Sequence, residues 1–99
     1  MDVSAWSNGC GTYGIRVGFQ YRETHFVTLN TIDVEIDGVF YLFNLTRGFW
    51  NKCPEFRDTK SKVIRTWLEA KNALKWPKGH PPRFQLIPLG SGRFRLLEY

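Results

Sequence analysis

Three glycines near the start of the chain have the spacing of a phosphate-binding loop. Gly9, Gly11 and Gly14 fit the pattern G-x-G-x-x-G, whose backbone amides hold a pyrophosphate when the glycines follow a strand and open a helix. Here the preceding segment MDVSAWS has no clear strand pattern, and the residues after Gly14 alternate like a strand. No lysine-bearing strand or catalytic loop of the kinase type follows. We therefore interpret the motif as a flexible lead into the first strand and not as a phosphate site.

Side chains suited to catalysis or to metal binding are few and widely spaced. Asp33 and Glu35 share one side of a strand, where paired carboxylates could do acid–base work, although an exposed strand is the commoner context. Cys53 precedes Pro54, and a helical turn starting there could make the thiol reactive, although a small buried cysteine is the commoner context. His25 and His80 have no partner at metal-ligand spacing. We predict no catalytic residue, no metal site and no cofactor; an enzyme with a cleft around Asp33, Glu35 and His25 is our third hypothesis.

Positive charge is concentrated in the second half of the chain. Residues 1–46 carry a net charge of −3, from two Lys/Arg against five Asp/Glu, whereas residues 47–99 carry +8, from twelve against four. This asymmetry is typical of a domain that meets an anionic partner, nucleic acid above all. The residues that we predict to contact nucleic acid are Lys60, Lys62, Arg65, Lys71, Lys75, Arg93 and Arg95.

Aromatic residues beside prolines indicate a second binding mode. The segments FWNKCPEFR and WPKGHPPRF combine both residue types, and proline lowers the entropy lost when a loop is fixed against a partner. We predict partner contacts at Phe49, Trp50 and Trp76, whose rings could stack on an unpaired base or meet a protein surface. The same rings could instead fold back as part of the core.

The clearest structural pattern is a hairpin in TIDVEIDGVFYLFNL. Three aliphatic residues alternate with three acidic ones, and Asp37-Gly38 suits a type I′ turn because both of its central residues need a positive φ. This turn pairs Ile36 with Val39 and so fixes the register of the two strands. The returning strand is apolar on both faces, so we expect it to lie inside the sheet and to be covered at least partly from each side.

Three further elements complete the predicted fold. Alternating apolar residues predict a strand over residues 14–21. An apolar stripe at helical spacing predicts a helix over residues 59–74, capped by Asp58 or Thr59 and ended before Pro77. Two short strands on either side of LGSG close the chain, and Pro88 indicates an edge or loop position for the first of them.

These elements predict one α+β domain over residues 1–99. Their order is βββαββ, with one main helix on a mostly antiparallel sheet of about five strands. No apolar stretch approaches the ~18 residues needed to cross a bilayer, and the first residues lack a signal-peptide pattern. We therefore expect a cytoplasmic protein with no membrane partner and with both of its cysteines reduced.

The function that we predict from the sequence is binding without catalysis. The first hypothesis is weak nucleic-acid binding with little base specificity, although no RNP-type aromatic motif is present. The alternative is a protein-interaction module or a homodimer formed through the aromatic and proline loops. The segments FWNKCPEFR, IRTWL and WPKGHPPRFQL resemble those of short bacterial proteins, and that resemblance implies no activity.

Overall fold

Seven strands and three helices make up the fold, which we describe from a computed structural model of residues 1–99. The strands are β1 (Asp2–Ser7), β2 (Tyr13–Arg16), β3 (Thr31–Ile36), β4 (Val39–Asn44), β5 (Glu55–Arg57), β6 (Arg83–Gly90) and β7 (Arg93–Leu97). The helices are α1 (Phe19–His25), α2 (Arg47–Trp50) and α3 (Val63–Ala70).

All seven strands belong to one curled sheet in the order β4-β3-β7-β6-β1-β2-β5. The pairing is antiparallel throughout, except that β3 and β7 run parallel. The two edge strands approach each other, and the rings of Phe43 on β4 and Phe56 on β5 lie 5.1 Å apart between centroids. The sheet therefore nearly closes into a barrel, and its concave side holds a single core of 19 buried residues.

The predicted hairpin is confirmed as β3–β4, but its second strand lies elsewhere in the sheet than expected. Ile36 pairs with Val39, and both Asp37 and Gly38 have positive φ. However, β4 is an edge strand, because β3 takes β7 as its other neighbour. The expectation that β4 lies inside the sheet was wrong.

The first third of the chain differs most from the prediction. The supposed lead contains β1, which pairs with both β2 and β6 and buries Val3 and Ala5. The predicted strand over residues 14–21 ends at Arg16 and is followed by α1. Gly18, with a φ of 87°, reverses the chain between them. Alternation of apolar residues continued through this break by coincidence, which is why the sequence pattern did not show it.

The predicted helix exists as α3, in a shorter form. Its limits are Val63 and Ala70 rather than 59 and 74, because Lys62 and Asn72 both adopt left-handed backbone conformations. The N-cap residue is Lys62, not Asp58 or Thr59, but Asp58 still caps the helix with its side chain: its carboxylate accepts hydrogen bonds from the amides of Ile64 (2.7 Å) and Arg65 (2.8 Å). These two bonds satisfy donors that the first helical turn leaves free.

The chain closes with the predicted second hairpin, β6–β7, which joins the main sheet between β1 and β3. Pro88 lies at a register shift between β6 and β7, beyond the part of β6 that pairs with β1. A proline is tolerated at such a bulge because no ladder hydrogen bond needs its missing N–H. The α+β class and the mostly antiparallel sheet are thus confirmed, with β1, β5, α1 and α2 in addition to the predicted elements. None of the three helices combines the length and the apolar composition needed to cross a membrane.

We expect Asp58→Ala to lower the free energy of unfolding by about 1–2 kcal/mol, the usual cost of a lost N-terminal cap. Burial raises the pKa of Asp58 above its ordinary value of 3.8, and the two amide bonds only partly offset this effect. The protonated Asp58 carboxyl is therefore favoured more in the native state than in the unfolded state. Protonation of Asp58 stabilises the native state at low pH, and this stabilisation is lost as the pH rises through the raised pKa. In urea unfolding, wild type should lose stability relative to Asp58→Asn as the pH rises from below 3.8 towards neutrality.

The matched control is Asp2→Asn, because Asp2 is exposed and accepts no backbone hydrogen bond. The difference in free energy of unfolding between wild type and Asp2→Asn should change less over the same pH range. A constant difference between wild type and Asp58→Asn would contradict the assignment of this titration.

Candidate functional site

The seven basic residues predicted to contact nucleic acid do not form one patch. Arg93 and Arg95 alternate along β7 with the buried Phe94 and Leu96, so they point outwards from the convex side of the sheet. Helix α3 packs its buried residues into the core on the concave side. The polar face of α3 and the arginines of β7 therefore leave the molecule on different sides.

The arginines of β7 face the carboxylates that we had singled out for acid–base chemistry. The parallel pairing of β3 with β7 sets Asp33 beside Arg93 and Glu35 beside Arg95. The Arg95 Nε donates a hydrogen bond to Glu35 Oε1, and the Arg93 guanidinium lies 4.1 Å from the centre of the Phe40 ring. The Glu35 carboxylate thus offsets the charge of Arg95, whereas the Arg93 guanidinium is held against the Phe40 ring.

The unpaired positive charge is concentrated around α3. Six of the fourteen Lys and Arg residues lie within 4.0 Å of an acidic group: Arg16, Arg22, Arg57, Lys71, Arg83 and Arg95. Of the eight others, five lie between residues 60 and 78. We call these five the basic face: Lys60, Lys62, Arg65, Lys75 and Lys78.

Lys71 is the one predicted α3 lysine that lies outside this set. Its ammonium is 3.4 Å from the Glu98 carboxylate and 4.6 Å from the centre of the Trp67 ring. Both contacts hold Lys71 against the protein, so less of its charge is available to a partner.

The glycine motif forms the loop between β1 and β2, and its amides are used within that loop. Asn8 Oδ1 accepts hydrogen bonds from the amides of Cys10 (2.7 Å) and Thr12 (3.1 Å). Ser7 Oγ accepts one from Gly9 (3.0 Å). The loop opens a strand and not a helix, so the helix terminus that would hold a pyrophosphate is missing. The motif follows the first strand instead of leading into it.

The β1–β2 loop nevertheless adjoins the basic face. The Arg65 guanidinium lies 6.0 Å from the centre of the Tyr13 ring, directly after this loop. Trp76 packs edge-on against the same ring, with 6.4 Å between centroids. A shallow depression lined by Ser7, Gly9, Leu74, Lys75 and Trp76 lies between the loop and the segment after α3. Trp76 is only partly buried there, so its indole edge lies on the same surface as Arg65 and Lys75.

The other aromatic segment folds onto the core. Phe49 is 1% exposed and packs between Phe26 and Trp50, with centroid distances of 5.3 and 5.1 Å. Phe49 is therefore inaccessible to a partner, and Trp50 retains only part of its surface. Of the three predicted partner-contact residues, Trp76 lies beside the basic face.

A buried arginine holds this aromatic segment in place. Arg22 on α1 donates hydrogen bonds from Nη1 to the carbonyl oxygens of Phe49 (3.0 Å) and Asn51 (3.3 Å). Its Nη2 lies 2.6 Å from Glu23 Oε1. The guanidinium thus donates hydrogen bonds to carbonyl oxygens at the end of α2, which accept none within the helix.

The remaining reactive side chains are dispersed. Cys10 is exposed, Cys53 is partly buried, and neither forms a disulfide. His25 packs against the Tyr21 ring and has no hydrogen bond to Asp33 or Glu35. No group of three or more His, Cys, Asp or Glu side chains is arranged to hold a metal ion.

The sequence did not indicate an apolar cleft between the β3–β4 turn and α3. Its volume is about 430 Å³. The lining residues are Ile36, Asp37, Val39, Tyr41, Ser61, Val63, Thr66, Trp67 and Ala70. The two walls come from residues 36–41 and 61–70, which are at least twenty residues apart in the chain, so no local pattern reveals that they meet.

Comparisons of the chain with protein-family models, with curated proteins and with solved structures found no match.

We expect Arg22→Ala to lower the free energy of unfolding by about 2–3 kcal/mol, because a buried carbonyl at the end of α2 loses a charged donor. Trp50 should become more exposed, which would shift its fluorescence to longer wavelength. Urea unfolding monitored by tryptophan emission measures both effects. Arg47→Ala is the control, since Arg47 is exposed and has no ion pair; a similar loss in both variants would contradict the role given to Arg22.

Proposed function

We propose that the protein is a cytoplasmic binding module without catalytic activity, which binds nucleic acid weakly and with little base specificity through the basic face. The observation that supports this most directly is that five of the eight Lys and Arg residues without an ion pair lie on α3 or on the segments that flank it, between residues 60 and 78. The proposal uses Lys60, Lys62, Arg65 and Lys75 of the residues predicted from sequence and adds Lys78. It gives no role to Lys71, Arg93 or Arg95, whose charges are offset or held against the protein.

Few acidic groups oppose this surface. Asp58 is bound to two helix amides, and Glu69 is the other carboxylate on α3 and its flanking segments between residues 58 and 78. A nucleic-acid strand on the basic face would release counterions as its phosphates are neutralised, and this release supplies most of the affinity in sequence-independent binding. A base stacked on Trp76 would add about 1–3 kcal/mol.

The test is a salt titration with a fluorescent single-stranded oligonucleotide of mixed sequence, followed by anisotropy. If all five cations contact phosphates, the plot of log K against log[salt] should have a slope of about −3.5, because each phosphate contributes about −0.7 on a single strand. The double variant Lys62→Gln/Arg65→Gln should reduce the steepness by about 1.4. The matched control, Arg93→Gln/Arg95→Gln on the convex side, should leave it unchanged. No binding at ~50 mM salt, or an equal loss in the control, would overturn the proposal.

Self-association is the second candidate function, and an exposed apolar edge strand favours it. On β4, Val39 is 51%, Phe40 37% and Leu42 61% exposed. Since Val39 lies next to a two-residue turn, it forms a hydrogen-bonded pair with Ile36, so the backbone groups of Phe40 and Leu42 point away from β3. A further strand can add to such an edge where neither β5 nor α3 already approaches it.

A second copy of the chain is the partner that β4 fits. The strand VFYLFN carries no charged residue, so two copies can pair antiparallel without placing like charges opposite one another. The aromatic and proline loops are less suitable than β4, because Phe49 is buried.

Sedimentation at increasing concentration measures this association. We expect wild type to form a dimer whose stability does not fall with salt, and Leu42→Lys to remain monomeric because two lysines would meet at the pairing edge. Leu89→Lys, at a similarly exposed position on β6, is the control and should still dimerise. A wild-type monomer at ~1 mM, well above the concentrations at which specific dimers form, would rule out this function.

A further inference from the structure

The cleft between the β3–β4 turn and α3 has the size and lining of a small-molecule site. Its volume of about 430 Å³ lies within the range of roughly 300–1,000 Å³ that ligand pockets occupy. Six of its nine lining residues are hydrophobic. Trp67 is fixed in place by packing against Phe84, with 4.7 Å between ring centroids. The apolar walls are therefore held by the core and by the hairpin, and do not depend on mobile loops.

The polar groups of the cleft are one carboxylate and three hydroxyls. Asp37 is the only charged lining residue, and it forms no ion pair within the protein. The hydroxyls of Tyr41 and Ser61 make no hydrogen bond to protein groups, whereas that of Thr66 donates to the Lys62 carbonyl oxygen (3.0 Å). Lys62 itself does not line the cleft. One unpaired carboxylate and two free hydroxyls thus border an apolar surface.

We propose that this cleft binds a small organic amine. The ammonium group would donate hydrogen bonds to the Asp37 carboxylate, and such charge-assisted bonds are about twice as strong as neutral ones. The apolar body of the ligand would lie against Val39, Val63 and Trp67. A ligand carboxylate in the same position would be repelled by the charge of Asp37, and a neutral ligand would gain no charge-assisted hydrogen bond from this solvent-exposed carboxylate.

The position of Asp37 makes the site rigid. Its φ of 51° belongs to the two-residue turn, so the carboxylate is carried by a backbone whose geometry the hairpin register fixes. The Tyr41 ring lines the same cleft, and an ammonium near its face gains a further electrostatic attraction. This site shares no residue with the basic face, so amine binding and nucleic-acid binding succeed or fail separately.

The test compares three probes that share one skeleton: 3-phenylpropylamine, 3-phenylpropanol and 3-phenylpropionate. Each is titrated into the ¹⁵N-labelled full chain and followed by amide and indole chemical shifts. We expect the amine to bind at least tenfold more tightly than the propionate, with shifts confined to Val39, Tyr41, Val63 and Trp67. Equal binding of amine and propionate, shifts centred elsewhere, or no binding of the amine at 10 mM would overturn the proposal.

Two variants locate the interaction. Asp37→Asn retains a residue that type I′ turns favour, so the hairpin should fold, and the preference for the amine over the alcohol should disappear. Asp33→Asn, on the convex side of β3, should leave that preference unchanged. Ala70→Phe should fill the cleft and abolish binding of all three probes. If Asp37→Asn kept the full preference for the amine, the assignment of the carboxylate as its partner would be wrong.

Discussion

The concave face of the sheet must be covered where its two edge strands fail to pair, and α3 provides this cover. At one end, β4 and β5 meet through Phe43 and Phe56. Towards the β3–β4 turn, the cleft shows that β4 faces α3 instead of β5. The burial of Ile64, Trp67 and Leu68 on α3 therefore closes the core in place of strand pairing. The helix has only eight residues, too few to be stable alone, so its position depends on this packing and on the Asp58 cap.

The same architecture separates the charges of the protein into two groups. On the convex side, the register between β3 and β7 brings acidic and basic side chains together in rows, and such cross-strand pairs stabilise a sheet by about 0.2–1 kcal/mol each. The helix that covers the core has no facing strand on its outer side, and five Lys and Arg residues on it and on its flanking segments form no ion pair. The distribution of unpaired positive charge therefore follows from the topology as well as from the composition.

Local sequence patterns allowed prediction of several strands and of the main helix, whereas the order in which the strands pair depends on contacts distant in sequence. The β3–β4 register and the Asp58 cap were predictable because a two-residue turn and a short loop define them. The edge position of β4 and the neutralisation of Arg95 both follow from β7 pairing with β3, sixty residues earlier in the chain. No periodicity carries that information. Similarly, β1 and the cleft went unrecognised because a short strand has little pattern and because the walls of the cleft come from separate elements.

Two residues of the candidate sites have left-handed backbone conformations, and only one of them has a side chain suited to it. Asp37 has a φ of 51° and Lys62 a φ of 53°. Aspartate tolerates this region because its short side chain can bond locally, but lysine has no such compensation and carries a cost of roughly 1–2 kcal/mol. Glycine at position 62 would end the loop before α3 with less strain. Folding alone therefore gives no reason for a lysine there. The nucleic-acid binding that we propose would give one, since backbone strain of this kind clusters at functional sites.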